Sequence, residues 1–326
     1  MSEPSLPPRL PEKPTRRTGL ITGIVIAAVV VIVAVVLIVV NVAKPKADDA
    51  ASGGASGAAA SKPQTVSIGV TDASQPYWKI YSDLAKKKYN VTVKLVNFSD
   101  YSQPNPALRQ KQLDLNEFQH IEYLADYNNT SGDDLQPIGP TAIYPLPLYS
   151  TKYKTPSELP ADAPVAIPND AINEARGLLV LQSAGLLELK DGGSPFSTVN
   201  DITSSKIKVT ALDAAQTARA LQSGSVEAAI VNKNYATDAK LPNTDIIAKD
   251  DPSDPSAQPY VNVFVARAAD KDNKLYQELA ALYLDPSVEK SVQDVNGGSA
   301  VFSDLSAKEL QTLLAKTQEQ EKAAKG

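Results

Sequence analysis

The sequence predicts an α/β fold for the region that begins near Thr65. Short apolar β runs alternate there with amphipathic helical segments, and the clearest helical segment is Ala171–Ala184. Apolar runs at Ile207–Thr210 and Ala228–Val231 stand on either side of a predicted helix at Ala214–Leu221. Because strands that alternate with helices build sheets covered by those helices, we expect largely parallel sheets.

The other predicted elements follow the same alternation. Apolar or alternating runs predict strands at Thr65–Val70, Val91–Phe98, Leu115–Phe118, Tyr144–Tyr149, Val165–Ile167 and Val261–Ala266. Helical spacing predicts helices at Pro76–Lys88, Ala107–Leu113, Ile121–Tyr127, Asn273–Leu284, Ser287–Val292 and Ser306–Lys322. A region of this length forms either one large domain or two lobes, and ligands of such sheets bind beyond the carboxyl ends of the strands.

The composition excludes several classes of function. The chain has 326 residues with a formal net charge of −5, one His and no Cys. The lack of Cys excludes disulfides, thiolate metal sites, a Cys nucleophile and a lipid-modified Cys, and a single His excludes a His-cluster metal site. The sequence also lacks the phosphate-binding G-x-x-x-x-G-K-[ST] motif and the hydrolase G-x-S-x-G motif. We therefore expect no catalytic residues, no metal, no cofactor and no nucleic-acid partner.

An uncharged apolar segment of 23 residues, Leu20–Val42, precedes the α/β region. A helix of that length is about 35 Å long at about 1.5 Å per residue, enough to cross a hydrocarbon core of about 30 Å. Arg16 and Arg17 stand at its start, so the positive-inside rule leaves residues 1–19 in the cytoplasm as a disordered stub. The alternative is a cleaved signal peptide, whose apolar core is usually about 7–15 residues.

These features predict a single-pass protein of the cell membrane. Residues 43–64 are rich in Ala, Gly, Ser and Lys and form a flexible linker in this interpretation. The folded domain, residues 65–326, then lies outside the cell.

Arg176 and Asn173 are the candidate residues for binding a carboxylate. They lie three residues apart on the predicted helix Ala171–Ala184, and therefore on one face of it. A guanidinium group holds a carboxylate through two parallel hydrogen bonds, which an ammonium group does not match. The alternative for Arg176 is an ion pair that stabilises the fold.

Asn232 and Asn262 each end or begin an apolar β run. An amide both donates and accepts hydrogen bonds, so it suits the two charged ends of a free amino acid. The alternative for each is a hydrogen bond to its own local backbone.

Three aromatic residues and the single histidine are candidates for a side-chain subsite. Tyr101, Phe118 and Tyr123 offer rings that suit an apolar side chain of a ligand. Ordinary core packing is the alternative for these rings. His120 precedes a predicted helix, so a capping role competes with a hydrogen bond to a ligand.

Four segments together resemble one family, the NlpA family of methionine-binding lipoproteins. They contain N-F-S-D-Y at Asn97–Tyr101, E-F-Q-H within Leu113–Leu124, V-A-I-P-N-D within Val165–Leu186 and P-Y-V-N within Pro259–Arg267. The resemblance extends from about residue 65 to about residue 305.

The resemblance implies a two-lobed, periplasmic-binding-protein-like fold with a ligand cleft between the lobes. Lobe 1 would comprise about 65–145 plus 260–326, and lobe 2 about 150–255. The family implies a monomeric, non-enzymatic receptor that captures methionine, L or D, and delivers it to the permease and ATPase subunits of an ABC importer. The positions that match the family's ligand contacts are Tyr101, Phe118, His120, Tyr123, Asn173, Arg176, Asn232 and Asn262.

The chain departs from the family pattern in ways that leave the ligand open. The family is normally tethered by a lipidated Cys, so the apolar helix must anchor this chain. Ala171 and Ala175 replace a Pro and a Gly of the family pattern, and residues 71–78 also differ. The alternatives are a binding protein for another small amino acid or peptide, a surface interaction module, or a hydrolase that uses His120.

Overall fold

The structure, a computed structural model, describes residues 64–325. Within this part of the chain no helix is both long and apolar enough to cross a membrane. The predicted membrane helix Leu20–Val42, the cytoplasmic stub and nearly all of the linker lie outside the described residues.

The described chain alternates between strands and helices along most of its length. In chain order the strands are β1 Gln64–Val70, β2 Val91–Asn97, β3 Leu115–His120, β4 Gln136–Pro140, β5 Ala142–Ile143, β6 Pro147–Tyr149, β7 Pro164–Pro168, β8 Leu187–Leu189, β9 Ile202–Ser205, β10 Lys208–Leu212, β11 Ala228–Ile230, β12 Ile246–Lys249, β13 Asn262–Ala266 and β14 Val301–Phe302.

The α-helices cover both sheets. In chain order they are α1 Pro76–Tyr89, α2 Pro104–Arg109, α3 Ile121–Ser131, α4 Ala171–Ser183, α5 Ala214–Gln222, α6 Lys233–Asp238, α7 Lys274–Ala281, α8 Pro286–Asn296 and α9 Ala307–Lys325. Short 3₁₀ segments connect several of them, and the segment Pro255–Tyr260 leads into β13.

The first sheet has the strand order β2-β1-β3-β13-β4. Strand β1 runs parallel to β2 and β3, whereas β13 runs antiparallel to both of its neighbours. Trp78, Tyr81, Phe264 and Tyr283 pack together beside this sheet as a buried aromatic cluster. The first sheet is therefore completed by a strand that comes from late in the sequence.

The second sheet has the order β10-β7-β11-β6-β12. Strand β7 runs parallel to β10 and β11, whereas β6 runs antiparallel to β11 and β12. Apolar side chains pack on both faces of it, against α4 on one side and α5 on the other. Two further strand pairs, β5 with β14 and β8 with β9, complete the strand pairing.

The predicted α/β class and the two-lobed fold are confirmed, and four of the five strands in each sheet share one direction, as expected of largely parallel sheets. In each sheet one strand is reversed, β13 in the first and β6 in the second. Both follow directly after the chain has passed from the other sheet. A strand that arrives from the opposite lobe enters at the edge where the parallel strands end, so it runs against them. An apolar run does not reveal this direction.

The two sheets draw their strands from separate parts of the sequence. The first takes residues between 64 and 140 plus 262–266, and the second takes residues between 147 and 249. The lobe limits given above stay a prediction.

Two element boundaries also differ from the prediction. The expected strand Tyr144–Tyr149 is shorter in the structure, where only its second half forms β6, Pro147–Tyr149. Pro145 lacks the N–H that a continuous ladder needs, so the strand does not extend back through it. The expected helix Ala107–Leu113 instead begins at Pro104, since proline is well suited to the first helical position.

Candidate functional site

A single cavity brings together residues from both sheets and from the segments that join them. Its space, counted with its open mouth, is about 860 Å³. All eight residues predicted from the sequence line it: Tyr101, Phe118, His120, Tyr123, Asn173, Arg176, Asn232 and Asn262. Most of them stand at the carboxyl ends of strands or in the first turn of the following helix, as expected for open α/β sheets.

Arg176 is 5 % exposed and is held from three sides. Its Nε donates to Oδ2 of Asp250 at 2.7 Å, and one Nη donates to the carbonyl oxygen of Tyr144 at 2.8 Å. The guanidinium carbon lies 4.2 Å from the centre of the Tyr260 ring. The other Nη donates no hydrogen bond within the described chain. The ion pair considered as an alternative for Arg176 therefore exists, and it leaves the outer end of the guanidinium group unbonded.

Asn173 and Asn232 form a short amide chain beside Arg176. Helix α4 begins at Asp170, whose Oδ1 accepts hydrogen bonds from the backbone and side-chain nitrogens of Asn173, both at 2.9 Å. Oδ1 of Asn173 accepts from Nδ2 of Asn232 at 3.0 Å. Oδ1 of Asn232 is buried and has no hydrogen-bond partner. An unpaired buried acceptor is costly, so this oxygen is suited to a donor that enters the cavity.

His120 caps helix α3, which is the alternative role predicted for it from the sequence. Its Nδ1 accepts from the backbone nitrogen of Tyr123 at 3.1 Å. Burial, with a further contribution from the nearby Arg176, lowers the pKa of His120 to about 3. The imidazole is therefore neutral near pH 7, and its Nε2 is the remaining polar atom of the ring.

The three predicted aromatic residues form one wall of the cavity. The ring of Tyr101 lies 6.0 Å from Phe118 and 6.2 Å from Tyr123, and Phe118 lies 5.9 Å from Tyr123. These rings pack against one another and also line the open space. Core packing and ligand contact are therefore compatible for them.

Asn262 begins β13 and bonds both to the nearby backbone at Tyr260 and to the distant backbone at Ala142. Its Nδ2 donates to the carbonyl oxygens of Ala142 at 3.2 Å and Tyr260 at 3.4 Å. Oδ1 of Asn262 accepts no hydrogen bond within the described chain. Its amide thus fixes the junction between the two lobes and still offers an acceptor to the cavity.

Hydrogen bonds between the lobes also involve residues that line the cavity. The hydroxyl of Tyr101 donates to Oδ1 of Asn234, whose Nδ2 donates to Thr71 at 3.3 Å. The hydroxyl of Tyr235 donates to the carbonyl oxygen of Ser99 at 3.2 Å. Because Asn234 and Tyr235 belong to α6 of the second lobe, these bonds hold the lobes in a closed arrangement.

The sequence analysis missed several residues of the site. Asn234 and Tyr235 directly follow Asn232, so a search around that strand end could have found them. Asp250 begins an acidic loop whose charge pattern is typical of a solvated connection, and nothing in the sequence pairs it with Arg176. Asp72 and Glu117 also line the cavity.

The site holds no arrangement suited to a metal. Among residues 64–325 no group of three or more His, Asp or Glu side chains is placed to hold an ion. The lining offers hydrogen-bonding groups, aromatic rings, the charged groups of Arg176 and Lys233, and the carboxyl groups of Asp72 and Glu117.

Such a cavity, closed between two α/β lobes that are joined by crossing segments, is typical of solute-binding proteins and not of enzymes. The NlpA lipoprotein family model matches residues 66–302, and the chain belongs to that family. The resemblance drawn from four sequence segments is thereby confirmed.

Relatives and solved structures agree with this assignment. D-methionine-binding lipoprotein MetQ of Escherichia coli K12 is 36 % identical over 243 residues, which is 73 % of this chain and 88 % of that protein. A nutrient-binding protein from Burkholderia cenocepacia bound to methionine is 38 % identical, with a TM-score of 0.67 over 73 % of this chain and 99 % of that one. The substrate-binding protein of a methionine transporter from Streptococcus pneumoniae is 34 % identical, with a TM-score of 0.67 over 73 % and 95 % of the two chains.

Proposed function

We propose that this protein captures methionine, L or D, or a closely related amino acid outside the membrane and delivers it to an ABC importer. The observation that carries the proposal is the convergence of eight predicted ligand residues on one closed cavity. The relatives named for methionine binding support the choice of ligand.

The carboxylate of the ligand would bind the outer end of the Arg176 guanidinium group. Nε and one Nη already hold Asp250 and Tyr144, which fixes the plane of the group and leaves the other Nη directed to a ligand. A fixed guanidinium loses little conformational freedom when it binds, so most of the hydrogen-bond energy would go into affinity.

The remaining groups of the ligand have matching partners. Oδ1 of Asn232 is a buried acceptor without a donor, which suits a ligand N–H. The wall of Tyr101, Phe118 and Tyr123 suits an apolar side chain, and a thioether in particular. The neutral His120 adds a polar atom at the edge of that wall.

Calorimetric titration of the full chain with each amino acid, including D-methionine, tests this function. We expect one binding site and the highest affinity for methionine or a compound of the same length and polarity. Tightest binding of a charged amino acid, or no binding of any amino acid, would reject methionine as the ligand. A small peptide as the preferred ligand would favour the alternative that keeps the fold and changes the substrate.

We also propose that the helix Leu20–Val42 anchors the chain and leaves the binding domain outside the cell. Its relatives are named lipoproteins, whereas this sequence has no Cys to carry a lipid. The protein would act as a tethered monomer beside the permease and ATPase subunits of the importer. A tether would keep the receptor at a high local concentration next to its partner.

A further inference from the structure

The cavity has a second polar end that none of the eight predicted residues forms. Asp72 follows the end of β1, Glu117 lies on β3, and Asn296 is the last residue of α8. All three line the cavity. Glu117 is 5 % exposed and Asn296 is 4 % exposed, whereas Asp72 is only partly buried.

The two carboxyl groups at this end have no cation beside them. Asp72 accepts hydrogen bonds from the Tyr77 hydroxyl and from Nε1 of Trp78, the latter at 2.6 Å. Oε1 of Glu117 accepts from the hydroxyl of Thr141 at 3.0 Å. Neither carboxyl is ion-paired with a Lys or Arg of the described chain, and Oε2 of Glu117 accepts no hydrogen bond there.

Burial without a cation changes the protonation of this pair. Desolvation, followed by repulsion from Asp72, raises the pKa of Glu117 to about 8. Desolvation also raises the pKa of Asp72. Because an isolated buried charge is costly, the empty cavity favours a neutral Glu117 at pH 7. A positive group that entered would reverse this preference.

Asn296 offers an acceptor to the same end of the cavity. Its Nδ2 donates to the carbonyl oxygen of Val292 at 2.7 Å, whereas its Oδ1 accepts no hydrogen bond within the described chain. The residue is 4 % exposed and lines the cavity, so this oxygen is available to a ligand donor that enters it.

Aromatic rings surround the same end. The hydroxyls of Tyr144 and Tyr283 lie 3.1 Å apart, and the ring of Tyr77 packs 6.1 Å from that of Tyr283. All three tyrosines line the cavity. Carboxylates, an amide oxygen and aromatic faces together are the groups that recognise organic ammonium ions.

We propose that this end of the cavity, formed by Asp72, Glu117 and Asn296, binds an ammonium group of the transported ligand. The proposal deepens the proposed function, on which it rests. With Arg176 at the other end, the cavity becomes a receptor for a zwitterion that has its two charges at opposite ends. Asn232 would then bind a ligand N–H between them.

Two kinds of ligand could carry the ammonium group, and they differ in its distance from the carboxylate. The position of Tyr144 gives the corresponding distance in the cavity. Its carbonyl oxygen bonds to Arg176 while its hydroxyl reaches Tyr283 at the acidic end. The two ends are thus about one tyrosine side chain apart. The α-ammonium of a free amino acid lies next to its carboxylate, whereas the ammonium of a dipeptide or a diamino acid lies farther away.

The test is a titration of the full chain with two matched pairs of ligands. L-methionine is compared with 4-(methylthio)butanoate, which lacks the α-ammonium group. Glycyl-L-methionine is compared with N-acetyl-L-methionine, which has no ammonium group at the distal position. In one of the two pairs we expect the wild-type protein to bind the compound with the ammonium group at least tenfold more tightly. That pair then shows whether the ammonium group belongs to an amino acid or to a dipeptide.

The variant Glu117→Gln removes the charge and keeps an oxygen that accepts from Thr141. We expect it to reduce the tenfold preference to less than threefold while leaving affinity for the compound without ammonium within threefold. Glu122→Gln is the matched control, because Glu122 is equally buried and lies outside the cavity lining. We expect that control to keep the full preference.

A second measurement detects the proton that is released when the ligand binds. An ammonium group beside Glu117 must lower its raised pKa, so binding near pH 7 should release up to one proton per ligand. Titrations in buffers of different ionisation enthalpy measure this release. The groups that face Glu117 are Asp72, Tyr77, Tyr81, Tyr144 and Tyr283. Because burial raises the pKa of each of these tyrosines further above its ordinary value, the released proton comes from a carboxyl group.

The possible outcomes separate the two proposals. If Glu117→Gln keeps both preferences of the wild-type protein within threefold and releases the same number of protons, the ammonium site is wrong and methionine capture stands. If the wild-type protein binds neither methionine nor glycylmethionine, the proposed function fails and the ammonium site fails with it. Loss of preference in the control Glu122→Gln would attribute the effect to a general change of the fold and also overturn the ammonium site.

Discussion

The structural ion pair of Arg176 is compatible with the ligand contact proposed for it. The side chain of Asp250 accepts from Arg176 and also from the backbone nitrogen of Leu146 at 2.7 Å. Through these bonds Arg176 connects α4 to both segments that join the lobes, one at Tyr144–Leu146 and the other at Asp250. Within residues 64–325 its remaining N–H groups donate to no other acceptor, which is the arrangement expected of a preorganised anion receptor.

The variant Arg176→Ala should weaken methionine binding by about 30-fold or more. Removing one partner of a buried charge pair costs on the order of 2–5 kcal/mol, and each tenfold in affinity is about 1.4 kcal/mol. Arg176→Lys should recover little, because an ammonium group lacks the planar fork. Calorimetric titration measures both variants.

Arg267→Ala is the control for that prediction. Arg267 is also ion-paired, with Asp270 at 2.7 Å, and it donates to the carbonyl oxygens of Leu108 and Leu113, but it does not line the cavity. It should lower the thermal unfolding temperature with little effect on affinity. A folded Arg176→Ala protein that binds within threefold of wild type would place the carboxylate elsewhere.

Glu117 gives the free energy of unfolding a defined dependence on pH. Its pKa is raised in the folded state to about 8, so the folded state binds more protons than the unfolded state between about pH 4.5 and 8. The stability from Glu117 is therefore lost as the pH rises through this window. His120 has the opposite sign, because its lowered pKa makes the protein lose stability as the pH falls below about 6.5.

Between pH 7 and 8 the contribution of Glu117 is the larger one, and Glu122, whose pKa burial raises to about 7, adds a smaller contribution of the same sign. We expect the free energy of unfolding of the ligand-free protein to fall there by up to about 1.4 kcal/mol, the value of one pH unit for one proton. Glu117→Gln should flatten the curve in this range. Urea unfolding at a series of pH values measures it, and an unchanged slope in the variant would contradict the assignment of the titrating group.

At the scale of single elements, α6 is the piece of the second lobe that reaches across the cavity. Asn234 in its first turn accepts from Tyr101 and donates to Thr71, both of the first lobe. Neither bond can exist when the lobes separate, so both contribute only to the closed state. Interactions that are present in one state alone shift the equilibrium toward it.

Asn234→Ala should therefore weaken ligand affinity by about tenfold, mainly through faster release. Two hydrogen bonds contribute about 0.5–1.5 kcal/mol each, and both are lost from the closed state only. Stopped-flow measurement of the release rate checks this. Gln222→Ala is the control, since Gln222 bonds to Ala239 within the second lobe at 2.7 Å. Equal release rates for wild type and Asn234→Ala would show that these bonds do not stabilise closure.

The sequence predicted the elements that carry a local signal and missed those that depend on the assembly. Helix α4, with its cap at Asp170 and its apolar face, was found almost to the residue. Strands such as β12 and β8 were missed, because three or four residues are too few to show a strand pattern. The reversed direction of β13 and the pairing of Arg176 with Asp250 were also missed. Both depend on how distant segments meet, which no local pattern encodes.

At the scale of the whole molecule, the membrane anchor proposed for residues 20–42 makes a prediction about where the protein is found. The intact chain should sediment with membranes and resist extraction by high salt, because an apolar helix of about 30 Å or more leaves a bilayer only with detergent. A variant that lacks residues 20–42 should appear in the aqueous fraction. Deletion of residues 46–60 is the control and should leave the protein in the membrane. N-terminal sequencing of a mature protein that begins after residue 42 would reveal a cleaved signal peptide instead.

The position of β13 in the first sheet has a consequence for the order of folding. This strand lies between β3 and β4, yet the ribosome makes it after every strand of the second sheet. While the chain is being synthesised, the second lobe therefore has all of its strands before the first lobe does. Until residues 262–266 arrive, β3 and β4 keep unpaired edges that invite wrong partners. The lobe that comes first in the sequence is in this way the last to be completed.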